Sequence, residues 1–169
     1  GLVSRPGIEG VIVVVPPEDV EREPGNALRG VRGVRAVVAG GESRARSVLN
    51  GVRAAGDHRW VLVHDAARPC VRRDDIRALI ADVGSDSDGG LLGVPVADTM
   101  KRVGADGRVA ATVDRGGLWH ALTPQMFRLE PLRAALRQAI AAHSMVTDEA
   151  SAMELAGYRP RMVQGHRDN

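Results

Sequence analysis

Runs of β-branched and aliphatic residues alternate with segments whose apolar positions recur every three or four residues. That alternation constrains the chain more than any other feature. Residues 11–15, VIVVV, closed by Pro16-Pro17, read as a buried parallel strand. Residues 34–38 read as a second strand, ended by Gly40-Gly41. Residues 43–55 carry Ala45, Val48, Leu49 and Val52 at helical spacing, with Gly56 as a C-terminal stop. Residues 60–63 form a third strand. Residues 73–83 put Ile76, Leu79, Ile80 and Val83 on one helical face, with Asp74 and Asp75 in the first turn, where the helix dipole favours anions. Residues 89–96 form a fourth strand. This order predicts an α/β, doubly wound, mostly parallel sheet with helices on both faces.

The pattern then changes. Residues 99–103 and 108–113 read as two short strands joined by Gly104-Ala-Asp-Gly107, a hairpin signal. Residues 118–123 read as another strand. Residues 131–142 form a strong helix, with Leu132, Ala135, Leu136 and Ile140 on one face and Pro131 at its first position. Thr147 is expected to N-cap the last helix, and residues 161–163 to close the sheet. No internal repeat or interdomain linker interrupts the sequence, so residues 1–169 read as one domain with a β-arm over 98–117. Both ends look cut. The expectation is a preceding βα unit of about 30 residues or more, carrying the usual phosphate-binding turn of such a sheet.

Composition narrows the function classes. Apolar residues make up 44% and charged residues 26%, which is ordinary for a globular chain. There is no apolar run long enough to cross a membrane, and the opening GLVSRPGIEG lacks the regions of a signal peptide. A single cysteine, Cys70, rules out a disulfide within the chain and fits a cytoplasmic setting. The 23 basic and 21 acidic residues leave a net charge of +2. Lys101 is the one lysine, and little titrates between neutrality and pH 10, which explains a pI near 9.3. Basic residues are spread along the chain and aromatics are 2%, so a nucleic-acid surface is not expected.

Ligands of open α/β sheets bind beyond the carboxyl ends of the strands. Those positions hold Gly40, Gly41, Glu42 and Arg44, then His64, Asp65 and Arg68, then Thr123, Pro124 and Gln125, then Gly165, His166, Arg167 and Asp168. Polar and charged groups recur at each one. Asp65 is the best single candidate. A carboxylate at a strand end holds a metal or accepts from ligand hydroxyls, or it caps the next turn. Arg68, kept extended by Pro69, is a phosphate clamp or an ion-pair partner of Asp65. Gly40-Gly41 lets backbone approach a ligand at a helix N-terminus, or forms a turn capped by Glu42 and Ser43. His64 reads as a hydrogen-bonded histidine and not as a general base. No Walker lysine loop, G-x-G-x-x-G or G-x-S-x-G occurs, and the scattered histidines argue against zinc.

The segment Val61-Leu-Val-His-Asp-Ala-Ala-Arg-Pro69 closely resembles the central motif of the 2-C-methyl-D-erythritol 4-phosphate cytidylyltransferases. Further segments match in the same order. They are Gly40-Gly41-Glu-Ser-Arg44 with Ser47-Val48, Pro95-Val96 with Asp98-Thr99 and Lys101, Leu122-Thr-Pro-Gln125 with Phe127, and Thr147-Asp-Glu-Ala150 with Glu154 and Gly157. The tail Val163-Gln-Gly165 with Asp168-Asn169 resembles the start of the last motif. The likeness covers essentially the whole chain.

The resemblance implies a Rossmann-like nucleotidyltransferase sheet with a protruding dimerisation hairpin. It implies transfer of a cytidylyl group from CTP to methylerythritol phosphate with Mg²⁺, in the non-mevalonate route to isoprenoids. It also implies roles. Gly41, Glu42 and Ser47 match the cytosine-reading edge, and Asp65, Ala66 and Arg68 the ribose and methylerythritol side of the pocket. Thr123, Thr147 and Asp168 match substrate or metal contacts, with Asp65 and Asp168 as the metal pair. Thr99 and Arg115 match residues that reach a partner subunit of a homodimer and hold the sugar phosphate in trans. Asp65, Arg115 and Asp168 are then the catalytic set. Two features depart from the family: its glycine-rich loop with Arg and Lys, and a lysine just beyond Asp168-Asn169, are not in this sequence. On these residues alone, triphosphate binding is expected to be poor. A cytidylyltransferase acting on ribitol 5-phosphate and a non-catalytic dimeric module are the alternatives.

Overall fold

The structure is a computed structural model describing residues 7–23 and 25–169; residues 1–6, part of the segment inspected for a signal peptide, lie outside the described residues. Its strands are β1 (Val11–Val15), β2 (Val34–Ala39), β3 (Trp60–Val63), β4 (Gly90–Pro95), β5 (Met100–Val103), β6 (Val109–Val113), β7 (Trp119–Arg128) and β8 (Arg161–Gln164). Its helices are α1 (Gly25–Arg29), α2 (Arg44–Ala54), α3 (Arg73–Val83), α4 (Leu129–Ala141) and α5 (Glu149–Leu155). The short α1 and a 3-10 turn at Pro17–Asp19 were not expected. Neither carries the repeating apolar face that marks a helix in sequence.

β1 and β2 pair in parallel. A four-stranded sheet runs β3-β7-β4-β8, in which β3, β4 and β8 share one direction and β7 opposes them. The chain is therefore α/β and mostly parallel, with one antiparallel strand in the middle. Side chains alternate across this sheet, as the pleat requires. Leu91 and Phe127 join Leu49, Val52, Leu132, Leu136 and Met153 of α2, α4 and α5 on one face. Leu92 and Met126 join Leu79 and Val83 of α3 on the other. No helix among the described residues is long and apolar enough to cross a membrane.

β7 corrects the expected strand at 118–123: it continues through Pro124 to Arg128. The ladder to β4 shifts between Leu91, opposite Gln125, and Gly93, opposite Ala121. Leu122, Thr123 and Pro124 thus face a single partner residue, and such an irregularity tolerates a proline that cannot donate. α4 begins at Leu129, so Pro131 is its third residue and not its first. It still lies in the turn whose N–H groups need no intrahelical acceptor. Thr147 is not the N-cap of α5. Asp148 is: its carboxylate accepts from Ser151 N–H at 2.9 Å, and Ser151 Oγ accepts from Asp148 N–H at 3.2 Å, a capping box. β5 and β6 form a two-stranded sheet of their own, with Met100 opposite Val113.

Candidate active site

β3 ends at Val63, opposite Gln125 of β7. The ladder irregularity therefore brings Thr123 beside the residues that follow β3. Asp65 N–H donates to Thr123 Oγ1 at 3.1 Å. The next turn closes through the Asp65 main-chain carbonyl, which accepts from Arg68 N–H at 3.0 Å. The Asp65 carboxylate turns elsewhere: Oδ1 accepts from Arg44 Nη2 at 2.9 Å, and Oδ2 lies 3.8 Å from Arg68 Nε. Arg68 thus stands within ion-pair reach of Asp65 at the edge of an open cleft.

Arg44 is the first residue of α2, whose N-cap Ser43 accepts from Arg46 N–H at 3.2 Å. Its guanidinium forks onto Glu149, the first residue of α5, at 2.6 and 3.1 Å. Glu149 is fully buried. Burial pushes its carboxyl above the usual range, and the Arg44 hydrogen bonds and charge pull it part of the way back. Burial works against the Arg44 charge, but Glu149 and Asp65 outweigh it and raise its affinity for the proton. Gln125, also buried, fixes this end of α5: it donates to Asp148 Oδ2 at 2.9 Å and accepts from Ala150 N–H at 2.8 Å.

These groups surround a cleft of about 240 Å³ lined by Arg44, Asp65, Arg68, Ala121, Leu122, Thr123, Gln125, Thr147 and Asp148. Of the residues singled out in sequence, Asp65, Arg68, Thr123 and Thr147 meet there. Arg44, Gln125 and Asp148 were not assigned as site residues, although the strand-end pattern contained Arg44 and Gln125.

The others lie around this cleft or apart from it. Gly41 N–H donates to Ser47 Oγ at 3.0 Å, at the entrance to α2 beside exposed Glu42. A Cβ at Gly40 would sit 2.9 Å from Ser47 Oγ, so this close approach serves the packing of α2. Ala66 is exposed in the turn after Asp65. Asp168 pairs with Arg72 at 2.7 Å, outside the cleft lining. The Arg72 hydrogen bond holds its carboxyl below the usual range. Neighbouring Asn169 ties the tail to the site: its side chain donates to the Thr123 carbonyl at 2.6 Å, and its main-chain oxygen accepts from Arg68 at 2.8 Å. Arg115 donates to the Ala97 carbonyl, and Thr99 is exposed near the hairpin base. Neither lines the cleft. His64 bonds Thr123 Oγ1 through Nδ1 and the Arg68 carbonyl through Nε2, each at 2.9 Å. Burial lowers its basicity, outweighing the Arg68 carbonyl and the Asp65 charge.

The cleft offers two guanidinium groups, a hydroxyl pair and carboxylates on packed elements. That set suits a polyhydroxylated anion. The sequence profile of the 2-C-methyl-D-erythritol 4-phosphate cytidylyltransferases matches residues 1–169. A protein of that name from Pseudomonas entomophila (strain L48) is 50% identical over 173 residues, spanning 99% of this chain and 72% of its own. One from Escherichia coli O1:K1 / APEC is 47% identical over 169 residues, spanning 99% of this chain and 71% of its own. A crystal structure of a 4-diphosphocytidyl-2C-methyl-D-erythritol synthase superposes with a TM-score of 0.85 at 40% identity, covering 98% of this chain and 77% of that one. The Francisella tularensis 2-C-methyl-D-erythritol 4-phosphate cytidylyltransferase gives 0.82 at 31% identity, covering 99% and 76%. The chain belongs to the 2-C-methyl-D-erythritol 4-phosphate cytidylyltransferase family of nucleotidyltransferase enzymes.

Proposed function

We propose that this protein transfers the cytidylyl group of CTP to 2-C-methyl-D-erythritol 4-phosphate, giving 4-diphosphocytidyl-2-C-methyl-D-erythritol and pyrophosphate for isoprenoid precursor synthesis. The observation that carries this reading is the meeting of Asp65, Arg68, Thr123 and Thr147, from three separate family motifs, around one cleft. A phosphate oxygen of the sugar phosphate attacks the α-phosphorus of CTP in line. The new P–O bond forms as the bond to the β-phosphate oxygen breaks, and pyrophosphate leaves with that electron pair. Such a transfer asks little covalent work of the protein, so positioning and charge complementarity dominate.

Arg68 is the cleft's available cation. Its guanidinium donates to the Asn169 main-chain oxygen at 2.8 Å, and its 3.8 Å contact with Asp65 is loose enough to yield to a phosphate oxygen. Arg44 is held by Glu149 and acts as a fixed wall. Gly41, Glu42 and Ser47, at the α2 entrance, support a cytosine-reading role, and Ala66 a contact with ribose. Thr123 and Thr147 offer hydroxyls to the substrates.

Mg²⁺ needs one or two carboxylates together with substrate phosphates and not an all-protein cage. Among the described residues no group of three or more His, Cys, Asp or Glu is placed to hold a metal. Asp65 fits the smaller requirement, since among the described residues Oδ2 has only the 3.8 Å Arg68 contact, and exposed Asp168 is the second candidate. Mg²⁺ held by these residues supplies charge neutralisation at the transferred phosphoryl group.

A homodimer accounts for the hairpin. An isolated two-stranded ribbon is marginal in water, yet β5 and β6 expose Met100, Val103 and Val109. A second copy covering them brings Thr99 and Arg115 to its own cleft. Exposed Cys70 fits the reducing cytoplasm. The test is a pyrophosphate-release assay of the full-length gene product with CTP and either methylerythritol phosphate or ribitol 5-phosphate. Turnover with the first is expected. Turnover with the second alone moves the assignment to the ribitol enzyme, and turnover with neither leaves the non-catalytic module.

A further inference from the structure

The tail that follows β8 crosses the sheet in strand order, β8 to β4 to β7 to β3. Gly165 N–H donates to the Gly93 carbonyl of β4 at 2.8 Å. Asn169 then reaches the Thr123 carbonyl of β7 at 2.6 Å, and its main-chain oxygen meets Arg68, in the turn after β3, at 2.8 Å. Between these points the tail makes the pairs Arg167–Asp98 and Asp168–Arg72, both exposed. Solvent screens such pairs, and they hold little. His166 lies 2.8 Å from buried Asp75, but its own ring is half-exposed. Asn169 is the tail's buried polar residue at the cleft, and nothing in the reaction above uses it. The Thr123 carbonyl only accepts, so the Asn169 atom facing it is the amide nitrogen.

We propose that Asn169 is a positioning residue for Arg68: its side chain is anchored on β7, and its main-chain oxygen holds the guanidinium short of full pairing with Asp65. Among the described residues, that oxygen takes the one hydrogen bond the Arg68 guanidinium makes. Asp65 Oδ2 stands 3.8 Å from Nε, beyond hydrogen-bond length. An arginine free to turn toward a neighbouring carboxylate closes to a charge-assisted hydrogen bond. Here the pull of the Asn169 oxygen on Nη1 opposes that closure. Most of the guanidinium N–H donors therefore stay unspent on a group that lines the cleft. A phosphate oxygen of the incoming substrate then meets a cation already placed. The cost of ordering a long side chain is met in folding and not in binding.

The inference rests on the proposed reaction for the source of the phosphate oxygen, which belongs either to the sugar phosphate or to CTP. The placement of Arg68 is tested first, without turnover, by a crystal structure of the full-length Asn169→Ala variant. With the anchor on Thr123 removed, the main-chain oxygen should leave Nη1. The contact between Arg68 and Asp65 should then shorten from 3.8 Å to a hydrogen bond of about 3.2 Å or less. Arg68 found in its original place overturns the proposal. Should Asn169→Ala fail to fold, Asn169→Asp takes its place, since it keeps the size of the side chain and loses the donor. Failure of both to fold makes Asn169 a structural residue and also overturns the proposal.

The second arm is kinetic. Arg68→Ala identifies, by its KM, the substrate that Arg68 grips. The folded Asn169 variant should raise the KM of that same substrate by about tenfold or more, the loss expected for a hydrogen bond to a charged group. It should also divide its effect between KM and kcat as Arg68→Ala does. The pair Asn169→Ala/Arg68→Ala should be no worse than Arg68→Ala alone, because both changes remove one interaction. A role in holding the fold alone would add to the Arg68→Ala loss and single out neither substrate. That additive result, or an unchanged KM for the substrate gripped by Arg68, overturns the proposal. A wild-type protein inactive with every substrate pair counts against the proposed function instead, and the position of Arg68 in the variant crystal still decides this inference.

Discussion

Glu149, buried at the first position of α5, accepts both arms of the Arg44 guanidinium at the first position of α2, at 2.6 and 3.1 Å. The same guanidinium reaches Asp65 at 2.9 Å, so one side chain joins two helix starts to the end of β3. Removing one partner of such a pair leaves a buried charge uncompensated. Arg44→Ala is expected to cost about 3 kcal/mol, the lower end of the usual 3–5, because the arginine is partly exposed. Urea unfolding measures it.

The cost of Arg44→Ala should also depend on pH. Burial already holds the Glu149 carboxyl above its usual range, so the folded chain binds that proton more tightly than the unfolded chain. Stability from such a group is present below the unfolded value and is lost as pH rises through the folded one. Without Arg44 the carboxyl moves further up, and the variant should lose more stability at pH 8 than at pH 4.5. Equal differences in urea midpoint at the two pH values would show that Glu149 does not respond to Arg44.

Asp65→Asn is expected to lower kcat while the thermal midpoint changes little. The carboxylate is partly exposed, and its turn closes through the main chain. Loss of one charged contact made in the transition state costs about 2.7–4 kcal/mol, or 10²–10³-fold in rate. Wild-type turnover in this variant would leave Asp65 as a partner of Arg44 and nothing more.

Thr147 and Asp148 should separate cleanly. Asp148 caps α5 and also accepts from Gln125, so Asp148→Ala should destabilise by about 0.5–2 kcal/mol, toward the upper end. Thr147 lines the cleft. Thr147→Ala should stay within about 0.5 kcal/mol in stability and raise KM for a substrate. Chemical denaturation with initial-rate kinetics distinguishes the two, and a large stability loss in Thr147→Ala would restore it as a structural cap.

The layers of this fold were legible because its code is local. The VIVVV strand, the faces of Leu49 and Val52 or Ile76 and Leu79, and the hairpin turn at Gly104 to Gly107 all declare themselves within a few residues. The limits of β7 did not, because Pro124 reads as a strand end until its neighbours supply the irregular ladder that accommodates it. Asp65 was visible as a polar residue closing an apolar run. The Arg44–Glu149 pair was not, since its members stand 105 positions apart and no spacing rule links the first turns of two helices. The cap of α5 was misassigned by one residue because Thr147 and Asp148 are both good capping types, and only the Ser151 contacts choose between them.

The hairpin carries the last prediction. Arg115 and Thr99 do not line the cleft of their own chain, while the hairpin exposes Val103 and Val109. If a second copy covers the arm, Arg115 grips the sugar phosphate in the partner's cleft, where a fixed guanidinium complements a dianion. Asp65→Asn and Arg115→Ala chains should each be inactive as pure dimers, since each lacks one half of every site. Mixed after subunit exchange, half of the dimers formed by random pairing are heterodimers. Each heterodimer holds one site with both residues intact and one with neither. Activity should therefore return to about one quarter of the wild-type value per chain, a number set by pairing statistics alone. Exchange confirmed by mass, with no recovery of rate, would place Asp65 and Arg115 in service of the same chain's cleft and defeat the shared site.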